Sequence, residues 1–347
     1  MSKQIHAGIL GASGYAGLEL TRLLLMHPHI TVAAIGSVSF KGQKLSEVYP
    51  SMYGICELPL VSSDAVIQNS DVVFAALPHG LSEQIAQQCV AANKKFIDLG
   101  ADFRLQNEAD YQNWYHGSYQ DAQLHAAAVY GLPELFRKQI ANAPIVANPG
   151  CYPTSIALAI APALSAGMVQ PNGIVADSKS GVTGAGRGLS QNTHFPDANE
   201  AFSAYKVASH RHTPEIEQTL SIICGQTTTV TFVPHLLPVN RGILSTVYAG
   251  ISPGVAFADI VQAYKTAYAE EPFVRLLPQG QGVNISAVRC SNYCDIQLYH
   301  DTHTNLLIAT SVIDNMVKGA AGQAVQNMNL ICGLPETTGL TAIPTAF

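Results

Sequence analysis

The amino-acid sequence predicts an α/β protein, with a doubly wound parallel sheet in its first half and an α+β domain in its second. Two patterns carry that prediction. Short apolar runs alternate with helical patterns up to about Asn148, as they do where parallel strands are joined by crossover helices. Beyond that point the alternation is between apolar and polar residues along single segments, the period of antiparallel strands. Bulk properties agree. The chain has 347 residues, 48% of them hydrophobic and only 12% charged, which is enough for two cores and too apolar for a disordered chain.

In chain order, Ile5–Leu10 reads as a short buried strand, followed by a glycine-rich turn and the apolar helix Leu18–Met26. Ile30–Ile35, Asp71–Leu77 and Lys95–Leu99 supply further strands, with helical patterns such as Ser82–Ala92 between them. Right-handed crossovers follow, and with them a ligand crevice at the C-terminal ends of the strands. In the second half Ser155–Ala166 reads as a helix, Thr227–Pro234 and Gly242–Gly250 as antiparallel strands, and Ala256–Glu270 as another helix. Cys294–Leu298 and Leu306–Ser311 complete the strands, and a helical stretch from Asn315 to Leu330 is expected to pack back on the first domain. The expected division is 1–148 with 315–347, and 149–314. The sequence shows no internal repeat and no low-complexity tract.

Net charge is −6 and no basic tract is present, which argues against a nucleic-acid partner. An anionic substrate would need a local cationic pocket. The longest apolar runs, such as 156–161, are broken well short of a membrane span. The first residues run directly into a strand and leave no room for a targeting peptide. A cytoplasmic protein without a membrane partner is expected. The seven cysteines (Cys56, Cys89, Cys151, Cys224, Cys290, Cys294, Cys332) are scattered and odd in number. They support neither a zinc site nor a disulfide framework.

Three motifs carry chemistry. The first, Gly11-Ala12-Ser13-Gly14-Tyr15-Ala16-Gly17, lies between a predicted strand and a predicted helix. Its glycines let the backbone approach a pyrophosphate, whose charge meets N–H groups at the helix start. The end of the second strand chooses the dinucleotide. An NAD enzyme places Asp or Glu there, whereas this chain has Ser37, Ser39 and Lys41 and no carboxylate. That pattern favours the 2′-phosphate of NADP.

The second motif is Asn148-Pro149-Gly150-Cys151-Tyr152-Pro153-Thr154-Ser155. A cysteine framed by Pro-Gly and opening an apolar helix sits where the helix dipole favours the thiolate, the competent nucleophile. The third is Ser209-His210-Arg211-His212-Thr213-Pro214-Glu215, two histidines presented just ahead of a Thr-Pro helix start. Acid–base work paired with Cys151 is a better reading than metal binding, because no third ligand is apparent nearby. Arg211 and Arg104 are candidate anion anchors.

Taken together, GASGYAG at 11–17, ALPHG at 76–80, DLGADFRL at 98–105, NPGCYPTS at 148–155, SGVTGAGR at 180–187 and HRHTPEIEQ at 210–218 resemble the N-acetyl-γ-glutamyl-phosphate reductase family. PHLLPVNRGILST at 234–246, SNYCDI at 291–296 and DNMVKGAAGQAVQNMN at 314–329 extend the resemblance over nearly the whole chain. This family is related to aspartate-semialdehyde and glyceraldehyde-3-phosphate dehydrogenases.

The resemblance implies a Rossmann-type NADP-binding domain (1–148 and 315–347) and an α+β catalytic and dimerisation domain (149–314). It implies reductive dephosphorylation of N-acetyl-L-glutamyl 5-phosphate to the 5-semialdehyde in arginine biosynthesis, through a thioester on Cys151. His212 ranks first as the proton-handling group, with His210 and Glu215 close behind. Arg104, Ser180 and Tyr205 are implied as substrate ligands, and Pro78, Asn315 and Gly319 as cofactor contacts. The family suggests a homodimer or homotetramer.

A sister family acting on a carrier-bound aminoadipyl phosphate departs from NPGCYPT at the nucleophile, whereas this chain keeps that segment intact. A dehydrogenase acting on aspartate semialdehyde and a non-catalytic NADP-binding sensor also compete with the leading reading.

Overall fold

A computed structural model describes residues 4–345, which divide into two compact units. The first runs to Pro149 and takes in Ala320–Thr341; the second holds Gly150–Gly319 and the described residues from Ala342 onward. The chain thus re-enters the first unit at Ala320 rather than at 315. Its last described residues lie with the second unit, where Arg289 Nε donates to Thr345 Oγ1 at 3.2 Å.

Seven strands form the first sheet: β1 (Ile5–Leu10), β2 (Ile30–Gly36), β3 (Leu60–Val61), β4 (Val72–Ala75), β5 (Lys95–Asp98), β6 (Ala128–Tyr130) and β7 (Ile145–Ala147). Their order is β3-β2-β1-β4-β5-β7-β6 and every pairing is parallel. The winding reverses between β1 and β4, the switch point at which such sheets bind ligands. Ile9, Phe74 and Ile97 at the sheet centre are fully buried, which is why these strands read as continuous apolar runs.

The sequence pattern missed β3, β6 and β7, each only two or three residues long. Helix Gly322–Ile331 belongs to this unit. It is held by polar contacts: Asn327 Nδ2 donates to Gly131 O at 2.8 Å and to Asn148 Oδ1 at 3.0 Å, and Asn329 Oδ1 bonds His27 Nε2 at 3.0 Å.

The second unit has its own seven-stranded sheet: β8 (Ile174–Gly181), β9 (Ser203–Ala204), β10 (Val230–Leu237), β11 (Ile243–Gly250), β12 (Val274–Leu276), β13 (Cys294–Asp301) and β14 (Leu306–Ile313). The order is β12-β13-β14-β11-β8-β10-β9. One expectation is corrected. The segment expected as an antiparallel strand at Thr227–Pro234 is β10, which runs parallel to β8 along its whole length and antiparallel only to the short β9. Pairing direction is not visible in local periodicity. It is set by the crossover from β8 through helix Thr213–Cys224, and β8 is itself a strand that the sequence pattern does not reveal. By contrast, β11 is antiparallel to both β8 and β14, as expected.

Along β8, Ile174, Ala176, Ser178 and Ser180 are buried while Val175, Asp177 and Lys179 are half-exposed. Helix Cys151–Ser165 packs against this sheet, and Tyr152–Leu164 within it are all buried. Pro162 interrupts its ladder by lacking the N–H that Leu158 O would accept. The Tyr268 hydroxyl donates to that carbonyl at 2.5 Å, and Tyr264 donates to Ala159 O at 2.6 Å. Among the described residues no helix is long and apolar enough to cross a membrane.

Candidate active site

In the first unit the glycine loop joins β1 to helix Tyr15–Leu25. Gly11 takes φ +79°, and a Cβ there would strike Ala76 O; one on Gly17 would strike Gly11 O and lie 2.8 Å from Ala12 Cα. Only glycine allows this tight return of the chain. Gly11 and Ala12 N–H both donate to Gly36 O at 3.0 Å, and Gly14 N–H to Gly11 O at 2.9 Å. Gly14 is the N-cap and supplies no side-chain cap. The positive end of the helix, with the first-turn residues Tyr15, Ala16 and Gly17, is therefore built to receive an anion.

Ser13 Oγ bonds Ser37 Oγ at 2.7 Å, which brings the end of β2 beside the loop. Ser39 and Lys41 follow, both exposed, whereas Lys44 pairs with Glu57 at 3.4 Å. These hydroxyls and Lys41, with no carboxylate among 36–44, fit a 2′-phosphate. Pro78 lies exposed in the loop after β4, a loop anchored where Asp102 accepts the Gly80 and Ser82 N–H groups at 2.8 Å each. Asp98, fully buried at the end of β5, accepts from Ser82 Oγ at 2.6 Å and from Gly100 N–H at 2.9 Å. Burial, followed by the charge of Asp102, pushes its carboxyl up to about 6. Arg104 is buried and braces backbone, donating from Nε to Asn148 O at 2.8 Å and from Nη2 to Leu99 O at 2.9 Å.

In the second unit Cys151 is the first residue of its helix and is half-buried. The N-cap Gly150 gives no side-chain cap, and its own N–H donates to Glu215 Oε1 at 2.7 Å. Glu215 is fully buried in the first turn of helix Thr213–Cys224, so its carboxylate steadies the residue just before the sulfur. On another side Gly319 presses on the cysteine, since a Cβ there would lie 2.8 Å from Cys151 Cβ and 3.3 Å from its Cα.

His210 and His212 stand with ring centroids 4.8 Å apart, and Tyr152 lies 5.7 and 6.0 Å from them. His210 Nδ1 accepts the His212 N–H at 3.1 Å. Burial, then the charges of Lys206 and Arg211, lower the His210 pKa to about 4. The ring is therefore neutral at pH 7, with its proton on Nε2. The turn that delivers it is strained: Lys206 and Ala208 take φ of +46° and +54°, the left-handed region that non-glycine residues rarely adopt.

The Tyr205 hydroxyl donates to the Tyr152 hydroxyl at 3.1 Å, which donates to His235 O at 3.3 Å. Burial pushes the Tyr205 phenol up to about 12 and that of Tyr152 higher still, so both stay protonated. Ser180 is buried, with its hydroxyl against that of Tyr152 and donating to Gly181 O at 3.0 Å. Arg211 is exposed on the histidine turn. Asn315 uses both ends of its amide within the unit: Oδ1 accepts Gly242 N–H at 2.8 Å and Nδ2 donates to Thr183 Oγ1 at 3.0 Å.

The second unit thus gathers Cys151, Tyr205, His210, His212, Glu215 and Gly319 around one helix start. Sequence reasoning missed Tyr152 and Asp314. Asp314 is fully buried and accepts from Cys290 N–H at 2.7 Å and Met316 N–H at 2.8 Å, while its own carbonyl holds Gly319 N–H at 3.0 Å. The signal was present, because an Asp heading a turn commonly bonds the backbone two residues on.

Comparison with known proteins follows the same division. Residues 6–143 match the family described as semialdehyde dehydrogenase, NAD binding domain, and residues 151–315 the one described as semialdehyde dehydrogenase, dimerisation domain. The chain is 52% identical to an N-acetyl-gamma-glutamyl-phosphate reductase of Clostridium botulinum, over 99% of this chain and 100% of that one. It is also 52% identical to the reductase of that name from Brachyspira hyodysenteriae, with the same coverage. Among solved structures, aspartate semialdehyde dehydrogenase II of Vibrio cholerae superposes with a TM-score of 0.74 at 16% identity, covering 96% of this chain and 99% of that one. The Candida albicans aspartate semialdehyde dehydrogenase, solved with NADP, gives a TM-score of 0.71 at 15% identity over 95% of this chain and 99% of that one. At such identities the likeness is one of fold: a Rossmann-type sheet with a second α+β domain.

Proposed function

Because the chain belongs to the N-acetyl-γ-glutamyl-phosphate reductase family, we propose that it reduces N-acetyl-L-glutamyl 5-phosphate to N-acetyl-L-glutamate 5-semialdehyde, with release of phosphate and use of NADPH, in arginine biosynthesis. One observation carries the mechanism: Cys151 opens an apolar helix whose N-cap is glycine, braced by the buried Glu215. An uncapped helix start favours the thiolate. That thiolate attacks the acyl carbon, the bond from carbon to the phosphate oxygen breaks, and phosphate leaves a thioester on Cys151. The nicotinamide, when bound, supplies the hydride that reduces this thioester. His212 moves the proton that accompanies collapse of the resulting thiohemiacetal, as the carbon–sulfur bond breaks and the aldehyde departs. His210 is neutral and occupied at Nδ1, which suits it to holding the His212 backbone in place.

Ser180, Tyr205 and Arg211 are the proposed substrate contacts. Arg104, already spent on two carbonyls, serves first to fix the backbone leading to Cys151. The loop Gly11–Gly17 would hold the pyrophosphate of NADP, with Ser37, Ser39 and Lys41 at its 2′-phosphate and Pro78 flanking. Gly319 is a stronger candidate for the nicotinamide side than Asn315, whose amide is engaged at both ends. Assembly into a homodimer or homotetramer and a cytoplasmic location belong to the same proposal. The half-exposed face of the second sheet supports the first, and seven cysteines with no disulfide among the described residues support the second.

The test is Cys151→Ser assayed in the reverse direction, with semialdehyde, phosphate and NADP. Activity should fall at least about 1,000-fold with an unchanged circular-dichroism spectrum; near-normal turnover would end this reading.

A further inference from the structure

Beneath the nucleophile helix, three neighbouring strands each contribute a serine at matched register. Ser245 on β11 stands opposite Ser178 on β8 and opposite Ser311 on β14. All three are fully buried on the face that the helix covers. Ser155 from the helix comes down onto the middle of this row, with its Oγ 3.0 Å from Ser245 Oγ and 2.7 Å from Ser311 Oγ. Ser178 Oγ donates to Ser245 Oγ at 2.8 Å, and Ser311 Oγ donates to Ser155 O at 2.9 Å. The next row deeper in the sheet, Ala176, Val247 and Ala309, is wholly apolar. A line of polar groups has therefore been spent at one level of an otherwise apolar layer.

The helix itself explains what such a line can do. Tyr152–Leu164 are buried all round, so no apolar stripe tells the helix which side to turn to the sheet. Burial alone does not single out one rotation of such a rod, and hydrogen bonds between hydroxyls, being short and directional, add a constraint that does. Ser155 lies one turn from Cys151 on the same face of the helix. The tyrosine hydroxyls that also bind this helix act further along, at Leu158 O and Ala159 O. From these contacts we propose that the Ser178–Ser245–Ser311 row, gripping Ser155, sets the rotation of the nucleophile helix and so the aim of the Cys151 sulfur. The four serines are positioning residues that act through the helix, and their role rests on Cys151 being the nucleophile.

Replacing Ser155 alone removes its hydroxyl's contacts with Ser245 and Ser311, while Ser178 still donates to Ser245 and Ser311 to the residue-155 carbonyl. The two lost buried hydrogen bonds lower stability whatever their purpose. Replacing all four serines by alanine removes donors and acceptors together and leaves no orphan. The expected result is that Ser155→Ala loses both melting temperature and kcat, and that the quadruple variant regains the melting temperature without regaining kcat. Its kcat should stay about 10- to 100-fold below wild type, since misplacement of a reacting atom by ~1 Å has that scale. KM should hold within about threefold. The midpoint of the pH profile of Cys151 alkylation by iodoacetamide should stay in place, because rotation carries the sulfur and its own helix start together. Return of kcat together with the melting temperature would overturn the proposal.

A second pair of variants reads the same question without the quadruple change. Ser311→Ala touches Ser155 directly and Ser178→Ala does not, so Ser311→Ala should lose more kcat for an equal loss of stability. Equal losses would overturn the proposal as well. Cys151→Ser assayed alongside separates the two ideas: if it stays active the nucleophile assignment falls, and if it is dead while the quadruple variant matches wild type only the serine row falls.

Discussion

The two glycine turns that open the helices at Tyr15 and Cys151 begin alike and are completed differently. Each puts glycine at the N-cap in extended geometry, Gly14 at ψ 165° and Gly150 at ψ 154°, and neither supplies a side-chain cap. The first turn closes on itself and on the neighbouring strand, through Gly11 O and Gly36 O. The second is held from 65 residues away, by the Glu215 carboxylate on the Gly150 N–H. A helix start that receives an anionic ligand can be made from local backbone, because the ligand itself completes the hydrogen bonding. A helix start that presents a nucleophile needs its orientation imposed from outside, and distant residues supply it.

The largest expected effect comes from cutting that distant brace. Glu215→Ala should lower kcat about 100-fold and remove about 1–3 kcal/mol of stability through the unpaired Gly150 N–H. NADP affinity, read by fluorescence titration, should stay within about twofold because the other turn is untouched. Glu215→Gln keeps an acceptor oxygen and should recover most of the stability. A comparable loss of NADP binding would break the contrast between a locally built turn and a remotely built one.

The same contrast explains what the sequence made legible. The glycine loop, the β2 end with Ser37 and Lys41, and Cys151 at a helix start were readable because each depends on residues within a few positions. The outer strands β3 and β6 and the parallel direction of β10 were not, since tertiary pairing rather than periodicity created them. Glu215 was visible as an acidic residue in a helix's first turn, but its bond to Gly150 was not. Asn315 shows the converse: the motif DNMVKG drew attention to it as a cofactor ligand, while both ends of its amide serve the second unit's own backbone and Thr183. The serine row was invisible because SKSG, LSTV and ATSV carry no shared signal until the strands are set in register.

Protonation offers a second way to sharpen the comparison, because one buried group in each unit responds to pH with opposite sign. Asp98 in the first unit has its pKa raised from 3.8 to about 6. The folded state then binds more protons than the unfolded one between those values, so this contribution to stability is present at acid pH and lost as pH rises through 6. His210 in the second unit is lowered from 6.5 to about 4. Its contribution is present above pH 6.5 and lost as pH falls towards 4. Relative to wild type, Asp98→Asn should gain stability as pH rises from 4 to 7, and His210→Gln should gain it as pH falls over the same range. Each change should be about 3 kcal/mol at most, read from denaturant melts at four pH values. Slopes of the same sign would show that one of the two burials is misassigned.

The smallest effect concerns the choice of dinucleotide, where the first turn can be altered without touching the second. Ser37 Oγ bonds Ser13 Oγ at 2.7 Å and so stands at the junction of the glycine loop and β2. A carboxylate at that point would accept a ribose 2′-hydroxyl and repel a 2′-phosphate. Ser37→Asp should raise the KM for NADP about tenfold, a change of about 1.4 kcal/mol, and lower that for NAD. Lys41→Ala should raise the NADP value by about threefold and leave NAD unchanged, since an exposed lysine acts on the phosphate through screened charge. In both variants kcat at saturating cofactor should stay within about twofold, because neither residue takes part in bracing Cys151. A fall in kcat without a change in cofactor preference would mean that the two turns are not independent, and that the loop at Gly11 shapes the chemistry as well as the binding.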